Sequence, residues 1–111
     1  MINPHRGELS VTLGEKEYIT KINLDSIVRI EKSLNMSIVN VAQKLSSGSL
    51  LTNEIVVILL TAIRGGGNDI SDKEMNKIVW DSGLVEAMTV CGAILTNALS
   101  GGSGKLQEAS E

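Results

Sequence analysis

Residues 8–22 read ELSVTLGEKEYITKI, and this stretch decides the fold of the first part of the chain. Apolar and polar residues alternate from Leu9 to Leu13, and a period of two is typical of a β-strand with one covered face. Gly14 and Glu15 supply a two-residue turn, after which the alternation resumes. The stretch therefore predicts a β-hairpin. Because an isolated hairpin is marginally stable, we expect it to pack on helices or to pair with another chain.

Beyond the hairpin, the apolar residues recur with the spacing of α-helices. Residues that cap helix N-termini precede the helical runs, and they are Asn23 or Asp25, Ser37, Thr52, and Ser71 with Glu74 as its capping-box partner. The predicted helices end near Leu34, Leu45, Arg64, Asp81 and Leu99, and a loop is expected over 46–49. The sequence thus predicts four or five short helices after the hairpin.

The spacing of apolar residues also predicts which helix faces turn inward. The first helix is expected to pack through Leu24, Ile27, Val28 and Leu34, and the last through Leu84, Met88, Cys91, Leu95 and Leu99. The helix over 53–64 is apolar on nearly all sides, so we expect it to be the most buried.

Segregation of the strands at the N-terminus predicts an α+β fold, with one β-hairpin packed on a helical bundle. We expect a single domain over 1–99, because about two thirds of the unfolded surface of a chain of this length is buried on folding. Residues 100–111 are Gly/Ser-rich and then polar, which is typical of a flexible tail.

The composition excludes several classes of protein. The 111 residues carry a formal net charge of −3, one Cys, one His, one Trp, one Tyr and no Phe. A single Cys cannot form an internal disulfide, and one His with one Cys cannot form a His/Cys zinc site. An acidic chain with so few aromatic residues lacks the basic face and stacking platforms of a nucleic-acid binder. We expect no metal, no cofactor and no nucleic-acid partner.

No stretch of the sequence predicts a membrane span or an export signal. The longest apolar run, 55–63, is far shorter than the roughly 20 residues that cross a bilayer. The first eight residues lack the apolar core of a secretory signal. We therefore expect a cytoplasmic protein.

The kind of apolar residue in the chain favours a binding partner. Ile, Leu and Val account for 34 of the 111 residues. Aliphatic side chains pack helix on helix easily, but they make adhesive surfaces where they stay uncovered. We expect more of them than a hairpin and short helices bury.

No arrangement of residues predicts catalysis. His5 lies near the N-terminus, and Cys91 lies on an apolar helix stripe, where a thiol usually serves as a small core side chain. The segment GGSGK at 101–105 superficially resembles a phosphate loop, but Leu99 and Leu106 stand where the motif needs Gly and Ser or Thr. The carboxylates are scattered, mostly at helix starts and in turns. We therefore predict that the chain is not an enzyme.

Glu31 and Arg64 are the charged residues that stand out. Glu31 falls inside the apolar arc of its helix, so it lies at an exposed rim, pairs with a cation such as Arg6, Lys21 or Arg64, or meets another subunit. Arg64 precedes three glycines, which either end the helix in a tight turn or place the arginine beside exposed backbone amides for an acidic partner.

Several of these segments together resemble one family. They are NPHRGE at 3–8 running into the hairpin, LDSIVRIEKSL at 24–34, IRGGG at 63–67, the Ser71–Glu74 helix start and the small-residue-rich helix 84–99. Over roughly residues 3–99 the chain resembles the small tail-assembly-chaperone-like proteins encoded among the tail genes of long-tailed phages and gene transfer agents.

The resemblance implies a non-enzymatic role in tail assembly, in the cytoplasm of the host cell. Such a chaperone binds the tape-measure protein and helps to recruit tail tube subunits. An apolar groove for a long helix would suit that task, and we expect subunits to associate as a homo-oligomer through the hairpin edge or the last helix. The alternative is a structural subunit retained in the virion tail, at the tube or its terminator. A small bacterial interaction domain of no phage origin also remains open.

The residues that we expect to contact a partner come from the segments that carry the resemblance. The charged ones are Arg6, Glu8, Glu31 and Arg64. Gly65, Gly66 and Gly67 are expected to shape the loop beside them.

Overall fold

The computed structural model describes residues 7–100. Its elements are β1 (Glu8–Leu13), β2 (Lys16–Lys21), α1 (Leu24–Leu34), α2 (Ile38–Ser47), α3 (Thr52–Gly65), α4 (Asp72–Ser82) and α5 (Leu84–Leu99). An antiparallel hairpin followed by five helices over the described residues confirms the α+β fold. Of the tail expected over 100–111, Ser100 is the C-cap of α5, and residues 101–111 lie outside the described residues.

The hairpin presents one covered face, as its alternation predicts. Gly14 adopts φ +66° in the two-residue turn, a conformation that glycine enters without a steric penalty. Val11, Leu13 and Thr20 are buried on the covered face. The Thr20 hydroxyl donates a hydrogen bond of 2.9 Å to the carbonyl oxygen of Leu9, which satisfies the buried hydroxyl across the strand pair.

Helix α1 is rotated relative to the predicted inward face. Its N-cap is Asn23, whose side chain accepts a 2.9 Å hydrogen bond from the Ser26 amide. Ile30 is fully buried, whereas Leu24 is 75% exposed and Val28 is 40% exposed. The prediction that Leu24 and Val28 face inward is wrong, because α3 covers the side of α1 that carries Ile30.

Helix α2 begins where predicted and ends one half-turn later. The Ser37 hydroxyl accepts a 3.1 Å hydrogen bond from the Asn40 amide and so caps the helix. The helix continues through Ser47 instead of ending at Leu45, and Gly48 terminates it at φ +75°. The loop predicted over 46–49 is therefore wrong at Ser46 and Ser47, which are still helical. Glycine in the left-handed conformation is a common helix end, and Gly48 provides it here.

Helix α3 is the central element and packs against β2, α1, α4 and α5. It is the most buried helix, as predicted, and its buried apolar side chains are Ile55, Ile58, Leu59, Leu60, Ala62 and Ile63. The N-cap is Leu51, not Thr52. Glu54 accepts a 2.8 Å hydrogen bond from the Leu51 amide. In a full capping box the N-cap side chain also accepts a hydrogen bond from the amide three residues later. A leucine side chain has no acceptor atom, so the Glu54 amide does not receive this second bond.

Replacing Leu51 by serine is expected to stabilise the fold by about 1 kcal/mol, because a serine oxygen at the N-cap can accept a hydrogen bond from the Glu54 amide. Leu51 is 59% exposed, so the loss of apolar burial is small. Urea denaturation measures the change. Leu51→Ala is the control, and equal stability of the two variants would contradict the capping argument.

Helices α4 and α5 form a sharp corner at Gly83. Ser71 and Glu74 exchange the two hydrogen bonds of a capping box at the start of α4, as predicted. The hydrogen bond from the Ser71 amide lowers the pKa of Glu74. In α5 the buried residues are Ala87, Val90, Cys91, Ile94, Leu95 and Ala98. The predicted stripe is correct at Cys91 and Leu95 and wrong at its ends, since Leu84 and Leu99 are 42% and 39% exposed.

Between residues 7 and 100, no single helix has both the length and the apolar character to cross a membrane. Only α4 and α5 taken together meet those two criteria, and the pair is bent by 113°.

Candidate functional site

The residues predicted to contact a partner lie in two separate places. Glu8 and Gly65 both adjoin Lys21 at the end of β2: Glu8 is its register partner, and Gly65 packs against its carbonyl oxygen. Glu31 lies on α1, and its carboxylate reaches the first turn of α2. Arg6 lies outside the described residues.

The glycines after Arg64 allow the end of α3 to press against the backbone of β2. A Cβ atom on Gly65 would overlap the carbonyl oxygen of Lys21, and one on Gly66 would overlap that of Ile19. Real side chains do not tolerate such overlap, so both positions require glycine for close approach. The helix stop that the sequence predicted is thus also a packing joint between α3 and the hairpin.

Asn68 completes this joint, and sequence reasoning missed it. Its side-chain amide donates one hydrogen bond of 2.9 Å to the Ile19 carbonyl and another of 3.0 Å to the Ile63 carbonyl. The first bond ties the loop to β2, and the second satisfies a carbonyl at the end of α3.

Arg64 folds back onto its own chain. Its Nε donates a 2.9 Å hydrogen bond to the Ile70 carbonyl, and an Nη lies 3.1 Å from Asp72 Oδ1. These contacts close the loop from α3 onto the first turn of α4. The side chains of Arg64 and Asp72 are 49% and 82% exposed, so the ion pair itself contributes little to stability.

Glu31 caps the next helix. Its Oε2 accepts a 2.9 Å hydrogen bond from the Ile38 amide at the first turn of α2. A carboxylate is favourable there, because helix N-termini carry unpaired N–H groups and a partial positive charge. This hydrogen bond explains why a carboxylate lies within the apolar arc of α1. The partner of Glu31 is a backbone amide, whereas a cation was one of the expected partners.

Charge reversal at Glu31 is expected to reduce stability by about 1–2 kcal/mol, since Glu31→Lys removes the acceptor and places a cation at a helix N-terminus. Glu17→Lys, on the exposed side of β2, is the matched control and should stay within about 0.5 kcal/mol of the parent. Thermal unfolding and size-exclusion chromatography measure both.

A third variant separates capping from partner contact at Glu31. Glu31→Gln keeps an acceptor oxygen and loses the charge. If the Glu31→Gln chain assembles normally with other subunits, the role of Glu31 is to cap α2 and not to contact a partner. Lost assembly with an unchanged melting temperature would instead support contact with a partner.

Cys91 is a core side chain. It is fully buried, and this burial raises the pKa of its thiol to about 12. A nucleophilic cysteine needs a lowered pKa and access to solvent, and Cys91 has neither. His5 and the glycine-rich segment 101–105 lie outside the described residues. Between residues 7 and 100, no group of three His, Cys, Asp or Glu side chains is placed to hold a metal ion.

Alkylation of Cys91 by iodoacetamide at about pH 8 is expected to be much slower in the folded chain than in urea. Burial raises the pKa of the thiol to about 12, which lowers the thiolate fraction, and it also keeps the reagent away from the sulfur. Intact-mass spectrometry follows the reaction, and similar rates in the two states would contradict the buried position.

An exposed apolar cluster that sequence reasoning missed lies where α4 meets α5. We call it the Trp80 corner, formed by Trp80, Leu84 and Val85, of which Trp80 is 85% and Val85 78% exposed. The hairpin turn lies beside it, because the Gly14 amide donates a 2.7 Å hydrogen bond to Glu86. Exposed apolar side chains that flank one break in the chain are candidates for contact with a partner.

A second apolar surface is the groove between α2 and α5. We call it the α2–α5 groove. It contains two adjoining cavities of about 290 and 510 Å³ that share Ala42, Ser46 and Leu99. Its walls include Val39, Leu45 and Leu95, and Gly92 lines the smaller cavity. It lies along the C-terminal half of α5, whereas the Trp80 corner lies at the N-terminus of that helix.

A protein-family model described as "Phage tail tube protein, GTA-gp10" matches residues 6–101, which include the hairpin and all five helices of the described part. The match supports the expected phage or gene transfer agent tail family in general, and its description names a tube protein, not an assembly chaperone. No curated protein and no solved structure gives a significant match.

Proposed function

The chain belongs to the phage tail family described as phage tail tube protein, GTA-gp10, and from this premise we propose that it is a structural subunit retained in the tail, at the tube or its terminator. The observation that carries the proposal is the extent of the match, from residue 6 to residue 101. Its partners would be tail tube subunits, including further copies of itself.

The surface of the chain supports a role in protein–protein contact. A tail subunit must touch neighbours on more than one side, and the Trp80 corner and the α2–α5 groove are two apolar surfaces at different ends of α5. Exposed apolar surface of this kind is costly in an isolated monomer and is usually covered in an assembly.

A second candidate function is the tail assembly chaperone, and one observation favours it. The α2–α5 groove is lined mainly by apolar side chains, which suits an amphipathic helix such as one from a tape-measure protein. In that case the groove would hold the tape-measure chain during assembly and release it before the particle is complete.

Quantitative mass spectrometry of purified particles separates the two functions. A structural subunit should be present in many copies, in constant ratio to the other tail proteins across preparations. A host protein of similar abundance in the producing cells serves as the control for carry-over. Absence from particles, together with co-precipitation of the tape-measure protein from lysates, would overturn the structural role and support the chaperone.

A further inference from the structure

We infer that residues 1–6 fold back onto a cavity between α1 and α5 of their own chain, and that the Ile2 side chain fills it. We call these residues the N-terminal segment. They read MINPHR and precede the part of the chain that the structure describes. We call the site the α1–α5 cavity, and its lining residues are Ile22, Asn23, Leu24, Ile27 and Ala98. The inference does not rest on the tail-tube function, since it concerns contacts within one chain.

The α1–α5 cavity has the size and the apolar lining that an aliphatic side chain requires. Its volume is about 300 Å³, and four of its five lining residues are apolar. A cavity of about 150 Å³ holds benzene, a larger group than an isoleucine side chain. Leu24 lines the cavity and is nevertheless 75% exposed. An aliphatic side chain placed here would therefore take apolar surface of α1 out of water.

The N-terminal segment joins the described fold at the edge of this cavity. The Gly7 carbonyl accepts a 3.0 Å hydrogen bond from the amide of Ile22, which is one of the lining residues. Gly7 has φ +82°, and a Cβ atom there would overlap the carbonyl oxygen of Ile22. Only glycine combines this conformation with so close an approach. The packing of Gly7 thus fixes the attachment point of the segment beside the cavity.

The N-terminal segment is long enough to place Ile2 inside the cavity. An extended chain spans about 3.3 Å per residue, so Ile2 can lie up to about 17 Å from Gly7. The lining residues Leu24 and Ile27 are only about 5 Å apart along α1. Three of the six residues in the segment are apolar, and they are Met1, Ile2 and Pro4.

Among these apolar residues, Ile2 is the best anchor. Burial of an isoleucine side chain costs less rotamer entropy than burial of a methionine such as Met1. Pro4 is a smaller side chain and lies closer to the attachment point. We therefore place Ile2 in the cavity and Pro4 on the stretch of chain that leads to it.

A segment of the same chain has an advantage over a separate ligand at this site. A short connection gives the attached segment an effective concentration in the mM range. The C-terminal residues 101–111 are the rival segment, because they follow Ser100, two residues after Ala98. They contain only Leu106 and Ala109 as apolar residues, and Leu106 stands behind the polar spacer GGSGK. This composition favours the N-terminal segment as the occupant.

Docking of the segment would have a consequence for partners of the chain. The filled cavity would be an apolar surface that the chain covers by itself. A partner that binds at Leu24 would first have to displace the N-terminal segment. The segment would thus compete with any such partner for the α1–α5 cavity.

Nuclear Overhauser spectroscopy of the methyl groups in the full-length chain tests the docking. We expect cross-peaks from the Ile2 methyl groups to the methyl groups of Ala98 and Ile27. Ile2→Ser should shift the Ala98 and Ile27 methyl resonances and lower the melting temperature by about 2–5 °C. Asn3→Ser is the matched control, because it changes a polar side chain in the same segment, and it should alter neither measurement.

Three results would overturn the inference. The first is a folded parent chain without cross-peaks between Ile2 and the lining residues. The second is a set of cross-peaks from Leu106 to Ala98, which would assign the cavity to the C-terminal residues. The third is a contact between Ile2 and Ala98 in isotope-filtered spectra of mixed labelled and unlabelled chains, which would assign the cavity to the segment of a neighbouring copy. None of these results bears on whether the chain is found in particles, so the tail-tube function stands or fails separately.

Discussion

Replacing Gly66 by alanine is expected to destabilise the fold by about 3 kcal/mol or more. A Cβ atom at this position would overlap the carbonyl oxygen of Ile19, and its neighbours there are backbone atoms of β2. Backbone held in a hairpin cannot yield as a side chain can, so α3 and β2 must separate. The separation would also break the hydrogen bond from Asn68 to the same carbonyl. Urea denaturation of Gly66→Ala measures the loss.

Two other glycines provide matched controls for this variant. Gly92→Ala adds a Cβ 3.7 Å from Leu45, an ordinary contact, and alanine is the better helix former, so stability should be unchanged or rise by up to about 1 kcal/mol. Gly67→Ala meets nothing within 4 Å but must hold φ near +98°, which costs about 1–3 kcal/mol. If Gly66→Ala were as stable as Gly92→Ala, the close approach of α3 and β2 would be wrong.

The elements of this fold were predictable because each has a local signature. Alternation and a Gly14 turn define the hairpin, and Ser37 and Ser71 mark two helix starts by capping chemistry. The N-cap at Leu51 was not predictable in the same way, because no side-chain acceptor marks it. The neighbouring Thr52, which does carry a side-chain acceptor, offered a misleading local signal.

Which part of an apolar face is covered depends on neighbours that are distant in sequence. The spacing on α1 showed an apolar arc, yet α3 covers only the portion at Ile30 and leaves Leu24 and Val28 exposed. For the same reason Trp80 could not be identified as a surface residue, since tryptophan in a helix usually packs inward.

Several residues that were predicted to contact a partner instead make contacts within the fold, and the local sequence did not predict these contacts. The close approach of Gly65 and Gly66 to β2 joins segments more than 40 residues apart, and no local pattern encodes it. Glu31 bonds to a backbone amide seven residues ahead. Their role in contacting a partner stays a prediction, and the structure adds the Trp80 corner and the α2–α5 groove as apolar surfaces that the sequence did not single out.

Part of the aliphatic content that first suggested a partner stays exposed in the described residues. Eight Ile, Leu and Val side chains are exposed in the described residues, while the rest are buried or half-buried. Four of the eight border the α2–α5 groove or the break at Gly83: Val39, Leu99, Leu84 and Val85. The exposed aliphatic residues therefore fall partly on the α2–α5 groove and the Trp80 corner.

Replacing Ile58 by alanine is expected to cost about 3–4 kcal/mol, because Ile58 is fully buried at the middle of α3 and its removal leaves a cavity. Val57→Ala is the control one residue earlier on the same helix. Val57 is half-buried, lies outside the main core cluster, and alanine is the better helix former, so its loss should be below about 1 kcal/mol. Thermal and urea unfolding measure both variants.

This pair also tests how the core supports the surfaces. Domains of this size are stable by about 5–15 kcal/mol, so a loss of 3–4 kcal/mol leaves a substantial unfolded population in a marginal chain. Helix α3 holds both α5 and the hairpin, and α5 carries one wall of the α2–α5 groove and two residues of the Trp80 corner. We therefore expect Ile58→Ala to lower association in solution together with stability, and Val57→Ala to change neither. Unaltered association of a destabilised Ile58→Ala chain would show that the contact surfaces do not depend on the packing of α3.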